Sequence, residues 1–160
     1  MTSLGLYIHI PFCRSRCDYC GFYSIGRKPT DRYMDALTKE MDLKSSDFED
    51  RLCDTVYLGG GTPSSLSEAQ LTRLMKTLSQ HFRISDTADI TMEMNPCDMS
   101  EDYLKNAMRA GVNRISIGVQ AKHDHLLSAI GRRHTAKEAE TAVKRAYRMG
   151  FHNLSLDLMY

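Results

Sequence analysis

The chain has no excess of either charge. Its 160 residues carry 21 basic and 20 acidic side chains, a formal charge of +1. No basic stripe runs along it, which argues against nucleic acid as the main partner. It has no apolar run approaching the ~18 residues of a membrane span, and its first residues lack a signal-peptide pattern. Nor is it rich in cysteine. Five cysteines, three of them in one short stretch, fit a reducing compartment better than a disulfide framework. The expectation is a soluble cytoplasmic protein with no membrane span. A chain of this length suggests one domain, able to bury roughly 70% of its unfolded surface.

What is there begins with those three cysteines. Cys13, Cys17 and Cys20 stand in Cys-Arg-Ser-Arg-Cys-Asp-Tyr-Cys, straight after the strand-like stretch Leu4 to Ile10. Cys-x3-Cys-x2-Cys offers three thiolates from one loop, and iron–sulfur clusters are held by cysteine thiolates, usually four. Three close ligands without a fourth suggest a cubane with one iron left open for a small molecule. Zinc and a disulfide loop are the plainer readings. Zinc is normally served by two separated ligand pairs, and no second Cys-x2-Cys or His-x3-His follows.

Short apolar runs alternate with helical patterns, the mark of parallel βα units. Strands are expected at about 4–10, 54–58, 89–94, 114–119 and 153–159. One helix starts near Thr30, with Tyr33, Leu37 and Met41 along a face. Ser67 to Gln70 forms a capping box ahead of Leu71, Leu74 and Leu78. A third helix starts at Ser100 and stops at Gly111; a fourth starts at Thr135, with Glu138 closing a second box, and stops at Gly150. The stretches Arg109 to Ile117 and Arg148 to Leu156 parallel each other. Their glycines, 111 and 150, lie 39 positions apart, which one helix-to-strand unit used twice explains.

Polar residues gather at strand ends. Gly59 to Thr62 follow Leu58, Glu93 closes an apolar run, Gln120 follows Val119, and Asp157 lies late in the fifth strand. Parallel barrels build their active sites on the C-terminal face of the strands, so this scattered set should converge. A full barrel takes ~250 residues. Residues 1–160 are therefore expected to be the N-terminal portion of a longer, partial TIM barrel with about five strands present. A complete five-stranded doubly wound domain is the alternative.

Several motifs together resemble the radical S-adenosylmethionine (SAM) superfamily, and within it the oxygen-independent coproporphyrinogen III oxidase group. They are Tyr7-Ile8-His9-Ile10-Pro11-Phe12-Cys13, the cysteine loop, Gly59-Gly60-Gly61-Thr62-Pro63, Glu93-Met94-Asn95-Pro96, Gly118-Val119-Gln120, Gly131-Arg132-Arg133-His134 and Asp157-Leu158-Met159-Tyr160. The resemblance covers the whole chain in order. It implies a 4Fe–4S cluster whose open iron takes the amino and carboxylate groups of SAM. Electron transfer then splits SAM into methionine and a 5′-deoxyadenosyl radical.

Residue by residue, the resemblance implies SAM contacts from Gly60, Gly61 and Thr62. The glycine run alone reads as a tight turn, and it is no P-loop, since no Gly-Lys-Ser/Thr follows. A carboxylate such as Glu93 at a buried strand end must be paired; an arginine would serve structurally, and SAM's amine or sulfonium would reward it functionally. Arg132 is the matching cation for the SAM carboxylate. Gln120 and Asp157 carry hydrogen-bonding groups for ribose and adenine; in the oxidases these later positions, with Arg132, serve a second SAM molecule. Tyr7 and Tyr19 flank the cysteine loop, to shield the cluster or stack on adenine. His9 reads as a satisfied core histidine, Cys53 as a small buried residue, Arg133 and His134 as residues of the surface or the site's surroundings, and nothing marks Cys97 as a missing ligand.

One departure separates branches of the group. The oxidases carry a further cysteine two positions after the third, where this chain has Phe22. The pattern then resembles the heme chaperone branch, which binds heme and delivers it to recipient hemoproteins, with an electron donor such as flavodoxin or ferredoxin. Oxidative decarboxylation of coproporphyrinogen III is the first alternative. A plain electron-transfer module is the second, disfavoured because it has no need of Glu93, Arg132 and Asp157 on one face.

Overall fold

The computed structural model describes residues 3–160. Along the chain run β1 (Leu4–Ile10), α1 (Asp31–Lys44), β2 (Leu52–Gly60), α2 (Glu68–His81), β3 (Arg83–Met94), α3 (Glu101–Arg109), β4 (Arg114–Gln120), α4 (Asp124–Ala129), α5 (Ala136–Arg148) and β5 (Asn153–Leu158). All pairings are parallel, and the spatial order is the chain order, β1-β2-β3-β4-β5. Right-handed crossovers that always add the next strand beside the last keep their helices on one face. That is the winding of a barrel; a doubly wound sheet reverses its order midway. Among the described residues no helix is long and apolar enough to cross a membrane.

Helix starts are fixed by local chemistry. Thr30, Ser67, Ser100 and Thr135 each accept a hydrogen bond from the N–H three residues on, and reciprocal capping boxes close at Ser67/Gln70 and Thr135/Glu138. The apolar faces these starts aim inward fill the core. Leu71, Leu74 and Leu78 of α2 are fully buried, at about 2 kcal/mol each for the area removed from water. On α1, Met34 and Met41 are buried, while Tyr33 and Leu37 pack at the core's margin.

Strand alternation sorts the sheet into two faces. Ile8, Ile10, Leu58, Met92, Ile115 and Ile117 meet the helices and are buried. Tyr7, Tyr57, Thr91 and Arg114 form one cross-strand row of the other face, and Glu93 and Ser116 pair in the next. Asp157 pairs with Gly118. Unlike the helix-side face, this one is lined with polar groups.

Strand ends differ from the sequence reading by one or two residues at β2, β4 and β5, and two differences are larger. β3 starts at Arg83 rather than 89, because its exposed first residues pair with Leu52 and Cys53 before a register shift. The six-residue α4 is additional; it is too short for a helical period to show.

The repeated helix ends are the same backbone device. Gly111 and Gly150 hold φ of +97° and +105°. Val112 N–H donates to Ala107 C=O and Phe151 N–H to Ala146 C=O, while each glycine N–H reaches the carbonyl three residues back. Val112 and Phe151 are buried behind the turns, which is how a helix is reversed into a strand. A Cβ at Gly111 or Gly150 would meet nothing nearer than 3.8 or 3.5 Å, so the glycine requirement is conformational, not steric. Gly111→Ala and Gly150→Ala should each lower stability by about 1 kcal/mol, read as a shifted urea midpoint at unchanged slope. Asn at either position should cost less.

Candidate functional site

A cavity opens at the C-terminal ends of the strands and contains about 920 Å³ of empty space, part of it open to solvent. Cys13, Cys17, Cys20, Tyr19, Gly60, Gly61, Thr62, Glu93, Gln120, Arg132 and Asp157 all line it. These residues come from six separate stretches of chain. Tyr7 stands outside this ring: its phenol is 55% exposed, its ring stacks on Tyr57 at 6.0 Å, and its hydroxyl meets His9 Nδ1 at 3.2 Å. It reaches the site only through these neighbours.

The cysteine loop is held from both sides. Gly61 N–H donates to Ile10 C=O at 2.9 Å. A Cβ on Gly61 would lie 2.9 Å from the backbone N and O of Phe12, so only glycine lets the end of β2 lie on the root of the loop. Asp18 N–H donates to Ile130 C=O, and Cys20 N–H closes a turn onto Cys17 C=O. All three cysteines are free thiols. Thr62 Oγ1 donates to Cys13 Sγ at 3.5 Å, and Arg132 Nη1 donates to Cys17 Sγ at 3.6 Å. Hydrogen bonds of this kind favour thiolate ligands.

Arg132 joins the loop to the strand ends. Besides Cys17 it donates to Asn95 Oδ1 and to the Gly118 carbonyl. Its Nε–H is buried without a partner. Beneath it, Asp98 is buried with Ser64 Oγ on one oxygen at 3.0 Å, and Arg14 and Arg133 approach the other at 3.6 and 4.0 Å. The neighbouring Asn95 N–H donates to Ser64 Oγ. This network fixes the turn after β3.

Glu93 is paired, but not with an arginine. Tyr57 hydroxyl donates to Oε1 at 2.8 Å and Gly60 N–H to Oε2 at 3.2 Å. Burial still holds the carboxyl above the ordinary carboxylate range, and nearby Asp157 adds to this against the two hydrogen bonds and His9. Burial and the Glu93 contact push the Tyr57 phenol well up in turn. Asp157 accepts from Ser116 Oγ at 3.0 Å. Gln120 holds φ +68°, with Ala121 N–H donating back to Val119 C=O, a strained three-residue turn of the kind found at ligand sites.

Tyr57, Asn95 and Ser116 are the residues the sequence reading did not assign. All three hold an assigned side chain rather than sharing its motif position. Parity was the available signal, since Tyr57 lies two residues before Gly59 on the cavity face. His9 has both ring nitrogens partnered, yet it is half-buried on the cavity face rather than in the core. His134 is buried, donates its Nε2–H to Val119 C=O, and is held below its ordinary pKa by that burial. Cys53 is buried, and its thiol donates to Thr55 C=O. Cys97 lies outside the cavity lining and is exposed.

The family model described as the Radical SAM superfamily matches residues 7–160. The heme chaperone HemW of Bacillus subtilis is 45% identical over 157 residues, 96% of this chain and 41% of that protein. The oxygen-independent coproporphyrinogen III oxidase of Salmonella typhimurium is 34% identical over 160 residues, 98% of this chain and 35% of that one. The structure of coproporphyrinogen III oxidase (HemN) from Escherichia coli superposes with a TM-score of 0.92 at 34% identity, over 99% of this chain and 37% of that one. The chain thus spans about two fifths of the length of the curated relatives it matches.

The carboxyl of Glu93 gives a pH signature. Its folded pKa lies above the unfolded one, so its contribution to stability is complete below the ordinary carboxylate range and is lost as pH climbs through the raised value. Glu93→Gln should therefore gain stability relative to wild type as pH rises through that window, and match it under acid. Urea titrations of the ligand-free chain at a series of pH values measure this. A stability difference independent of pH would show that the carboxyl is ionised without penalty.

Proposed function

The chain belongs to the radical SAM superfamily, and on that premise we propose that its cavity binds a 4Fe–4S cluster and SAM in a heme chaperone. Cys13, Cys17 and Cys20 are the cluster's ligands in this reading. The donor set fits: three free thiols line one cavity, and two of them already receive hydrogen bonds. Among the described residues no three His, Cys, Asp or Glu side chains are gathered for a single metal ion. A cluster asks for less convergence, because each thiolate has its own iron. When bound, the reduced cluster supplies the electron that splits SAM.

The chain's own groups match SAM's polar parts. Glu93 uses one lone pair of each oxygen on Tyr57 and Gly60 and keeps acceptor capacity for a cationic amine or sulfonium. The unpartnered Arg132 Nε–H is a buried donor suited to the carboxylate. Asp157 and Gln120, at the neighbouring ends of β5 and β4, offer acceptors and a donor for ribose and adenine. Gly60, Gly61, Thr62 and Tyr19 close the surround. Tyr7 supports this set through Tyr57.

Phe22 carries the choice of branch. It lines the cavity, 62% exposed, where the oxidase pattern has a further cysteine. A phenyl ring supplies neither a thiol nor a proton. The full protein then takes heme or a related porphyrin and passes it to recipient hemoproteins, drawing electrons from a flavodoxin- or ferredoxin-like donor. Five free cysteines suit a reducing cytoplasm. Oxygen-independent coproporphyrinogen oxidation is the second reading, favoured by the 0.92 superposition on an oxidase.

We also read residues 1–160 as the N-terminal part of a longer barrel. Ile117 and Leu156 are register partners on the helix-side face, yet Ile117 is fully buried and Leu156 is 47% exposed. A further helix and strand would cover β5, and the shorter span relative to the relatives agrees with this.

Two outcomes test the proposal. Anaerobic reconstitution of the full-length protein should give about four irons per chain, and Cys17→Ala should lose them; tightly bound zinc with no iron uptake would overturn the cluster. The full-length protein should bind heme near one per chain and form no protoporphyrinogen IX from coproporphyrinogen III when given SAM and reductant without oxygen. Sustained formation of that product would promote the oxidase reading.

A further inference from the structure

Charge is unevenly placed. Between Pro11 and Thr30 four basic residues, Arg14, Arg16, Arg27 and Lys28, face one acidic residue, Asp18; this local excess of three sits in a chain whose total excess is one. The fold keeps these cations together. Ile25 N–H donates to Pro11 C=O and Cys13 N–H to Ile25 C=O, so the segment carrying Arg27 and Lys28 lies beside the root of the cysteine loop. Arg16 Nη2 donates to Cys20 C=O at 3.3 Å, which keeps it over the third cysteine. Arg14 is committed to Asp98. Arg16, Arg27 and Lys28 are exposed and make no ion pair among the described residues. Phe22 and Tyr23 stand out of the same surface, 62% and 72% exposed.

We infer that this face, with Phe22 and Tyr23 at its centre and Arg16, Arg27 and Lys28 at its rim, is the docking surface of an acidic one-electron donor protein. The inference rests on the cluster reading above and adds where its electron enters. Exposed aromatics beside cations are the composition of a protein interface, whereas nucleic acid calls for a longer basic track than three residues. Arg16 is bonded to Cys20, and the stretch of chain at Ile25 is bonded to Cys13, so a partner seated there lies against the loop that carries the cysteines. In the step itself one electron leaves the reduced donor, which is oxidised, and enters the cluster, which is reduced; no bond forms or breaks. Opposite charge at the rim speeds encounter by roughly 10–10³-fold and makes it sensitive to salt.

The experiment uses the full-length reconstituted protein, reduced flavodoxin as the probe, and dithionite as a small reductant. Arg27→Glu/Lys28→Glu should slow cluster reduction by flavodoxin about tenfold or more at low ionic strength and flatten its salt dependence. Reduction by dithionite and iron content should stay at wild-type levels. Arg16→Gln should slow flavodoxin reduction to a lesser degree. Lys105→Glu/Arg109→Glu on α3, which changes the charge equally at a distance, should leave the rate unchanged. Equal slowing in that control, or a wild-type rate and salt slope in Arg27→Glu/Lys28→Glu, would overturn the docking surface. So would a reversal that abolishes heme uptake and spares flavodoxin, since the patch would then serve tetrapyrrole carboxylates. A wild-type protein without a dithionite-reducible cluster would remove the cofactor reading, and the need for a donor with it.

Discussion

The guanidinium of Arg132 is the point at which the site holds together. From the loop after α4 it reaches Cys17 on the cysteine loop, Asn95 beyond β3 and the carbonyl of Gly118 on β4. A cation so enclosed is tolerated only where its hydrogens find acceptors, and these acceptors sit on three different stretches of chain. Each stretch must therefore be in place before any of them is satisfied. The cysteine loop carries little packing of its own apart from Cys13 and thus inherits its position from this contact, from Gly61 and from the Asp98 cluster with Arg14 and Arg133. The Arg132 Nε–H is buried without a partner among the described residues, a donor that the carboxylate of the SAM proposed above would satisfy.

Fold and site were legible to different depths because they are written in different ways. Helix starts depend on groups within three residues of each other, so Ser67/Gln70 and Thr135/Glu138 could be read directly. The order of strands followed from the βα alternation. β3 was read too short because its first residues, Arg83 to Thr87, carry a single apolar side chain, Ile84, among polar ones and so show no apolar period. The cavity ring was legible wherever a polar residue interrupts an apolar strand at its end. Tyr57, Asn95 and Ser116 were not, since what matters in each is which other side chain it touches across the sheet, and only the register supplies that. Tyr7 shows the converse: its motif is conspicuous, but alternation stacks it on Tyr57, one row below the cavity.

The pairing of Glu93 illustrates why such a row matters. A buried carboxylate satisfied by an arginine would be neutralised within the protein, with little left for a cationic ligand. Tyr57 and Gly60 instead supply two neutral donors, which offset part of the desolvation and leave the charge uncompensated. Burial raises the pKa of the carboxyl accordingly: stability is given up in the empty site, and the SAM cation proposed above would recover it on binding.

Electrostatics on the two sides of the cysteine loop then divide the labour. Inside, four arginines (Arg14, Arg16, Arg132 and Arg133) and two carboxylates (Glu93 and Asp157) line the cavity, so groups of both signs are available to a zwitterionic ligand such as the SAM proposed above. Outside, the loop is cationic, with aromatics exposed among the charges. On the docking surface proposed above, an acidic donor protein is drawn to the outer cations, whereas the cavity offers a small zwitterion paired groups of both signs. Arg16 belongs to both, lining the cavity and exposed to solvent. Phe22 sits on the boundary, lining the cavity and facing solvent at once. A cysteine there would put a reactive thiol in reach of both compartments. An aromatic ring leaves that boundary apolar and without a thiol, as the heme chaperone reading proposed above requires.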